Sequence, residues 1–130
     1  MRPVPVGTKG THEFVVAPKD LAGTMEPSLP PVLATAMMSL AMEMAAIDAL
    51  KAYLEPGEMT VGAIVNVTHT AATPEGWKVR AEAEVTKSDG RRIEFSIRAT
   101  EGTEQIGVGT HERMVVQLAR LSDRMKAKFG

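Results

Sequence analysis

From about Val32 to Leu54 the chain runs in alanine, methionine and leucine, all strong helix formers, and Pro56-Gly57 closes the run. Between Val32 and Ile47 its only charged residue is Glu43. A helix that is apolar on every side must be covered on every side. The rest of the chain has to supply that cover.

Most of the rest reads as strand. A first strand is expected over about Thr11 to Val16. A loop from Ala17 to Pro31 follows; its Pro18, Pro27, Pro30 and Pro31 argue against both helix and central strand. Connectors this long are often lids or binding loops. After the helix come four strand patterns. The first spans about Thr60 to Ala72. The turn Thr73-Pro74-Glu75-Gly76 leads to Trp77–Lys87, where Trp77, Val79, Ala81, Ala83 and Val85 alternate with charged residues. Ser88-Asp89-Gly90 marks a hairpin into Arg92–Thr100, with Ile93, Phe95, Ile97 and Ala99 on its apolar face. The last strand covers about Glu104 to Val116. A short amphipathic tail helix follows, with Leu118, Leu121, Met125 and Phe129 on one side.

These elements predict an α+β domain over residues 1–130, an antiparallel five-stranded sheet wrapped on one long helix. A sheet with one apolar face packs against a single layer, and that layer must be the helix. One sheet covers only one side of it. A second copy of the same helix is the simplest cover for the rest, so a homodimer is expected.

The bulk numbers exclude several classes. The 130 residues carry a net charge of −1, which offers no basic field for nucleic acid. With no cysteine there can be no disulfide, thiolate metal site or cysteine nucleophile, and the chain fits a reducing compartment. The start does not read as a signal peptide. The most apolar stretch, Ala36 to Ile47, falls short of the ~18 residues a membrane span needs. A cytoplasmic protein without a membrane partner is expected.

Three residues stand out chemically. Glu43 lies in Ala-Met-Glu-Met-Ala-Ala on the apolar helix. Burial there should raise its pKa unless an imidazole or hydroxyl compensates. A functional carboxylate and a structural one bonded to backbone both fit. His69, counted by twos with Val61, Ala63, Val65, Val67 and Ala71, falls on the strand face that meets the helix. A satisfied core histidine is the common explanation, but an imidazole there could reach the helix carboxylate. Thr35 can cap the helix start, or hold a substrate carbonyl near the helix N–H groups. Thr35 and Glu43 lie ~12 Å apart along an ideal helix axis. They share no hydrogen bond within one straight helix. Two helices packed antiparallel about Ser39 would bring Thr35 of one chain towards Glu43 of the other, giving a composite site; a distorted first turn is the competing geometry.

The remaining candidates carry less. His12 and His111 sit on separate strands, without the spacing of a metal site. Arg113 shares the His111 face and, as a strand arginine, is expected to be solvated. The helix methionines fit core packing and would also suit an adaptable acyl pocket. Gly107 and Gly109 precede no helix, so they make no phosphate loop.

Taken together, Ala34-Thr35, Glu43, Tyr53-Leu54-Glu55-Pro56-Gly57-Glu58, Gly62, Val67-Thr68-His69-Thr70-Ala71-Ala72-Thr73-Pro74 and Gly109-Thr110-His111-Glu112-Arg113 resemble the fluoroacetyl-CoA thioesterase-like members of the hotdog thioesterase superfamily. The similarity runs from about Thr11 to Val116. It implies a homodimeric hotdog fold that hydrolyses an acyl-CoA thioester without metal or cofactor. It implies Thr35, Glu43 and His69 as catalytic residues, with Gly62 and Arg113 lining the acyl site. The family's selective lid uses aromatic side chains before the helix. Here Leu29 and Leu33 occupy that region, and no aromatic lies between Phe14 and Tyr53. This departure predicts a substrate other than a fluorinated acyl group. A hotdog hydratase and a non-catalytic acyl-CoA binding module are the rival readings; the helix has Asp48 but no histidine.

Overall fold

A computed structural model describes all residues, 1–130. Strand β1 (Lys9–Val15) leads through a 3-10 turn (Pro18–Asp20) and one helical turn, α1 (Ala22–Met25), to the long helix α2 (Thr35–Leu50). Strands β2 (Glu58–His69), β3 (Lys78–Ser88), β4 (Arg92–Glu101) and β5 (Glu104–Gln117) follow, and helix α3 (Leu118–Phe129) ends the chain. They form one antiparallel sheet in the order β1-β3-β4-β5-β2, curled around α2, the hotdog arrangement the sequence implied.

The core forms where two periodicities meet. Val79, Ala81, Ala83 and Val85 of β3 and Ile93, Phe95, Ile97 and Ala99 of β4 are all buried, as their alternation requires. On α2 the buried side is Met38, Ala41, Met42, Ala45, Ala46, Ala49 and Leu50. The alanines let the sheet come close. A side chain at Gly10 of β1 would overlap the backbone of Ala45 and Ala49, so this crossing needs glycine.

Several local expectations need correction. The loop from Ala17 to Pro31 is not free of helix. Pro18 starts a 3-10 turn, where a missing N–H costs nothing, and α1 fits between Pro18 and Pro27. Helix α2 begins at Thr35 rather than Val32. Val32 and Leu33 are extended, bridging Pro74 and Leu21, and the Leu33 N–H donates to the Thr73 carbonyl at 2.8 Å. Trp77 precedes β3 and is exposed instead of joining the apolar face. The tail helix forms as expected, and none of its residues is buried.

The correction that matters most concerns β2. Its pairing with β5 slips between Gly62, opposite Arg113, and Ile64, opposite Glu112, leaving Ala63 as an extra residue. One extra residue reverses the alternation on one side of the bulge. Val65, Val67 and His69 face inward as counted, but before the bulge it is Gly62 and Thr60, not Ala63 and Val61, that face inward. The same ladder gives His111 and Arg113 of β5 the face of Phe95 and Ile93 of β4. Both are therefore buried. The expectation of a solvated Arg113 fails, because register outweighs residue type.

Candidate active site

Two polar clusters lie on the inner side of the curled sheet. The first joins the start of α2 to the end of β2. Thr35 Oγ1 lies 2.9 Å from His69 Nδ1. The other ring nitrogen, Nε2, is buried and has no hydrogen-bond partner within the chain. Beside the pair is an open, mostly apolar depression walled by Leu29, Pro30, Leu33, Ala71 and Ala72. Leu33 is buried beneath it and Leu29, 48% exposed, forms its rim. The proline-rich segment therefore does border the candidate site, with leucines where the implied lid would have aromatics.

The second cluster surrounds Glu43, two turns further along α2. Glu43 Oε1 lies 3.5 Å from Arg113 Nη1. The guanidinium is held on its other sides. Nε donates to Thr60 Oγ1 at 2.9 Å, Nη2 donates to the Thr60 carbonyl at 3.0 Å, and Nη1 lies 3.2 Å from His111 Nε2. Burial pulls the Arg113 guanidinium below its ordinary value, and the Glu43 charge pulls it back; an arginine stays protonated regardless. Burial also lowers His111, opposed by its bond to the Ile64 carbonyl and the Glu43 charge and reinforced by Arg113.

Gly62 completes this cluster by having no side chain. A Cβ there would lie 2.8 Å from Glu43 Oε1, 3.5 Å from Arg113 Nη1 and 3.6 Å from His111 Cε1. Glu43 itself is not enclosed. Its side chain is 30% exposed, and its partner is the Arg113 guanidinium, so the expectation of a buried carboxylate compensated by an imidazole or hydroxyl is corrected on both counts.

The structure brings Thr35 to His69, and Glu43 to Arg113 and Gly62, but does not bring Glu43 to His69 within one chain. Glu43 stands against Gly62, and from Gly62 to His69 β2 advances roughly 20 Å. The expectation that the two outliers on one face form a pair fails for a single chain, because both elements carry them away from each other. His111 is the residue that sequence reasoning set aside. Its signal was available: it alternates in phase with Gly107, Gly109 and Arg113, a row with no apolar side chain on a strand between two others.

Comparison with known proteins agrees with this architecture. Residues 16–119 match the fluoroacetyl-CoA-specific thioesterase family. The chain is 40% identical over 129 residues to the fluoroacetyl-CoA thioesterase of Streptantibioticus cattleyicolor, covering 95% of this chain and 93% of that protein. A solved fluoroacetyl-CoA thioesterase superposes with a TM-score of 0.90 at 39% identity, over 98% of this chain and 99% of the other. A thioesterase superfamily member from Thermus thermophilus does so with a TM-score of 0.90 at 32% identity, over 99% and 98%. No helix is long and apolar enough to cross a membrane. With the family matched over most of its length and the fold superposed over nearly all of it, the chain is a thioester hydrolase that belongs to the fluoroacetyl-CoA-specific thioesterase family.

Proposed function

We propose that this protein hydrolyses a short acyl-CoA to the free acid and CoA at a site shared between two copies of the chain. Thr35 and His69 come from one subunit, and Glu43, Gly62 and Arg113 from the other. The observation that carries this reading is the separation of the two clusters. Thr35 and Glu43 are centred on Ser39 of α2. His69 and Gly62 are centred between Val65 and Asn66 of β2. A two-fold axis passing near both centres sets Thr35 and His69 against Glu43 and Gly62 of the partner subunit.

The surface supports such an axis. Strand β2 is an edge of the sheet, yet Val61, Ile64 and Val65 on it are exposed. On α2, Leu40 is 46% exposed and Met44 39%. Long apolar edges and unpartnered apolar helix faces are what interfaces cover. The whole chain then acts as one hotdog domain in a homodimer, and its lack of cysteine suits the cytoplasm.

Chemically, each part has one task. Gly62 and Arg113 line the acyl site beside the Glu43 carboxylate, and Leu29 and Leu33 border the entrance. The Thr35 hydroxyl donates to His69 Nδ1, which leaves Nε2–H as a donor at the thioester. Glu43 takes a proton from water as the water oxygen attacks the carbonyl carbon. The C–S bond then breaks, and the thiolate takes the proton that Glu43 removed from the water, while the His69 Nε2–H steadies the carbonyl oxygen. General acid–base assistance of this kind contributes ~10²–10⁴ in rate.

The hydratase reading is disfavoured because Asp48, the other helix carboxylate, is spent on the β1 backbone: its Oδ2 accepts from the Thr11 N–H at 3.0 Å. The test is thiol release across a panel of short acyl-CoAs, fluorinated and not. Turnover of at least one, abolished in Glu43→Ala, is expected. Acyl-CoAs that bind but release no thiol would replace this reading with a binding module. Hydration of an enoyl-CoA in place of thiol release would replace it with a hydratase.

A further inference from the structure

Arg113 carries five N–H donors and no acceptor. Thr60 occupies two of them on the far side of the guanidinium. The side nearest Glu43 and Gly62 is set by His111. That imidazole is fully buried and stacked on Phe95, ring centroids 5.9 Å apart. Its Nδ1 lies 2.7 Å from the Ile64 carbonyl and its Nε2 lies 3.2 Å from Arg113 Nη1.

Both contacts demand the same tautomer. A carbonyl oxygen only accepts, so Nδ1 must hold the proton. A guanidinium only donates, so Nε2 must present its lone pair. The bulge makes this possible. Ala63 is the extra residue, and the next peptide, with Ile64 opposite Glu112, turns its carbonyl towards His111. Bulges are a common device for re-aiming groups beside active sites.

We infer that His111 is a positioning residue: a neutral imidazole, locked with its proton on Nδ1, whose Nε2 accepts from Arg113 and fixes the guanidinium beside Glu43 and Gly62. This role rests on the reading that Gly62 and Arg113 line the acyl site. The charged groups facing His111 are Arg113 on its own strand and Glu43 on α2; β2 presents a carbonyl and β4 the Phe95 ring. A second proton would set an N–H against the guanidinium and push it off its seat. Burial already opposes that proton. Thr60 and His111 then aim Arg113 with neutral acceptors, and Glu43 is the one carboxylate it meets.

The direct measurement is ¹⁵N NMR of the histidine rings in the intact protein. The expected result is one histidine with a protonated Nδ1 and a bare Nε2 from about pH 6 to 8, its signals lost in His111→Phe. A proton on Nε2, or an imidazolium across that range, overturns the assignment. The functional arm uses three substitutions, singly and with one pair combined. His111→Phe keeps the ring on Phe95 but offers neither donor nor acceptor; His111→Gln restores one of each. His111→Phe should lower kcat/KM for a turned-over acyl-CoA by about tenfold or more, since small misplacements are costly. His111→Gln should recover most of the loss. In an Arg113→Lys background His111→Phe should cost little more, because it acts through Arg113. Full activity in His111→Phe, or an undiminished loss on top of Arg113→Lys, contradicts the role. If His111→Phe does not fold, the ring NMR and His111→Gln decide. Unchanged hydrolysis in Arg113→Lys alone would instead remove the acyl-site reading and leave the tautomer to be judged by NMR.

Discussion

Thr35, the first residue of α2, and His69, the last of β2, meet at 2.9 Å through Oγ1 and Nδ1. The contact ties the helix start to the sheet edge and leaves the buried His69 Nε2 without a partner in its own chain. Thr35→Ala should therefore lower kcat by about 10² or more, while Thr35→Ser, which keeps the hydroxyl, should retain most activity. Steady-state kinetics on the two variants checks this. Equal loss in both would assign the effect to the methyl group and to packing.

Glu43→Gln should reduce kcat by about 10² or more with little change in KM, the pattern of a group needed in the transition state. A variant that turns over normally but binds weakly would reduce Glu43 to an anchor for Arg113.

Gly62→Ala tests the crowding above the bulge. Its methyl would come within 2.8 Å of Glu43 Oε1, so the carboxylate must move. Glu43 is partly exposed and has room to yield. Stability should change by about 1 kcal/mol or less, as for a tolerated surface change, while kcat/KM falls at least about tenfold. Thermal melts and kinetics on one preparation separate the two effects.

Burial holds His111 below its ordinary value near 6.5. Below that pH the unfolded chain takes up a proton that the folded chain refuses, so folding stability should fall as pH drops from about 6.5 towards the lowered folded value. Glu13, Glu58 and Asp89 are held below their ordinary carboxylate values by hydrogen bonds, and their losses come at lower pH, below about 4.5. Urea melts between pH 7 and 5 should show a decline in the native protein that His111→Gln lacks. A parallel decline in both would place the proton elsewhere.

The sequence carried the architecture because its periodicities are clean. The alternation from Val79 to Val85 and from Ile93 to Ala99 left one face to bury, and the single charge between Val32 and Ile47 marked the helix as the layer beneath. The site was legible in part. Thr35, Glu43 and His69 were conspicuous as polar residues among apolar ones. His111 and Arg113 were not, because a strand's inner face is read from its apolar residues, and β5 has glycines where they would be. The bulge at Ala63 escaped the count by twos, since one extra residue leaves no mark in composition. The pairing of Glu43 with His69 failed for a simpler reason: facing the same core does not make two residues neighbours when they stand at opposite ends of it.

The central claim is that Thr35 and His69 of one subunit work with Glu43 of the partner subunit. Complementation tests it most directly. Thr35→Ala and Glu43→Gln chains, each inactive alone, are unfolded together and refolded as an equal mixture. Half of the dimers are then mixed, and each mixed dimer holds one site with both defects and one with neither. The shared-site account predicts recovery of about a quarter of native activity. A mixture as inactive as its parents, with mixed dimers shown by mass spectrometry to have formed, would contradict it.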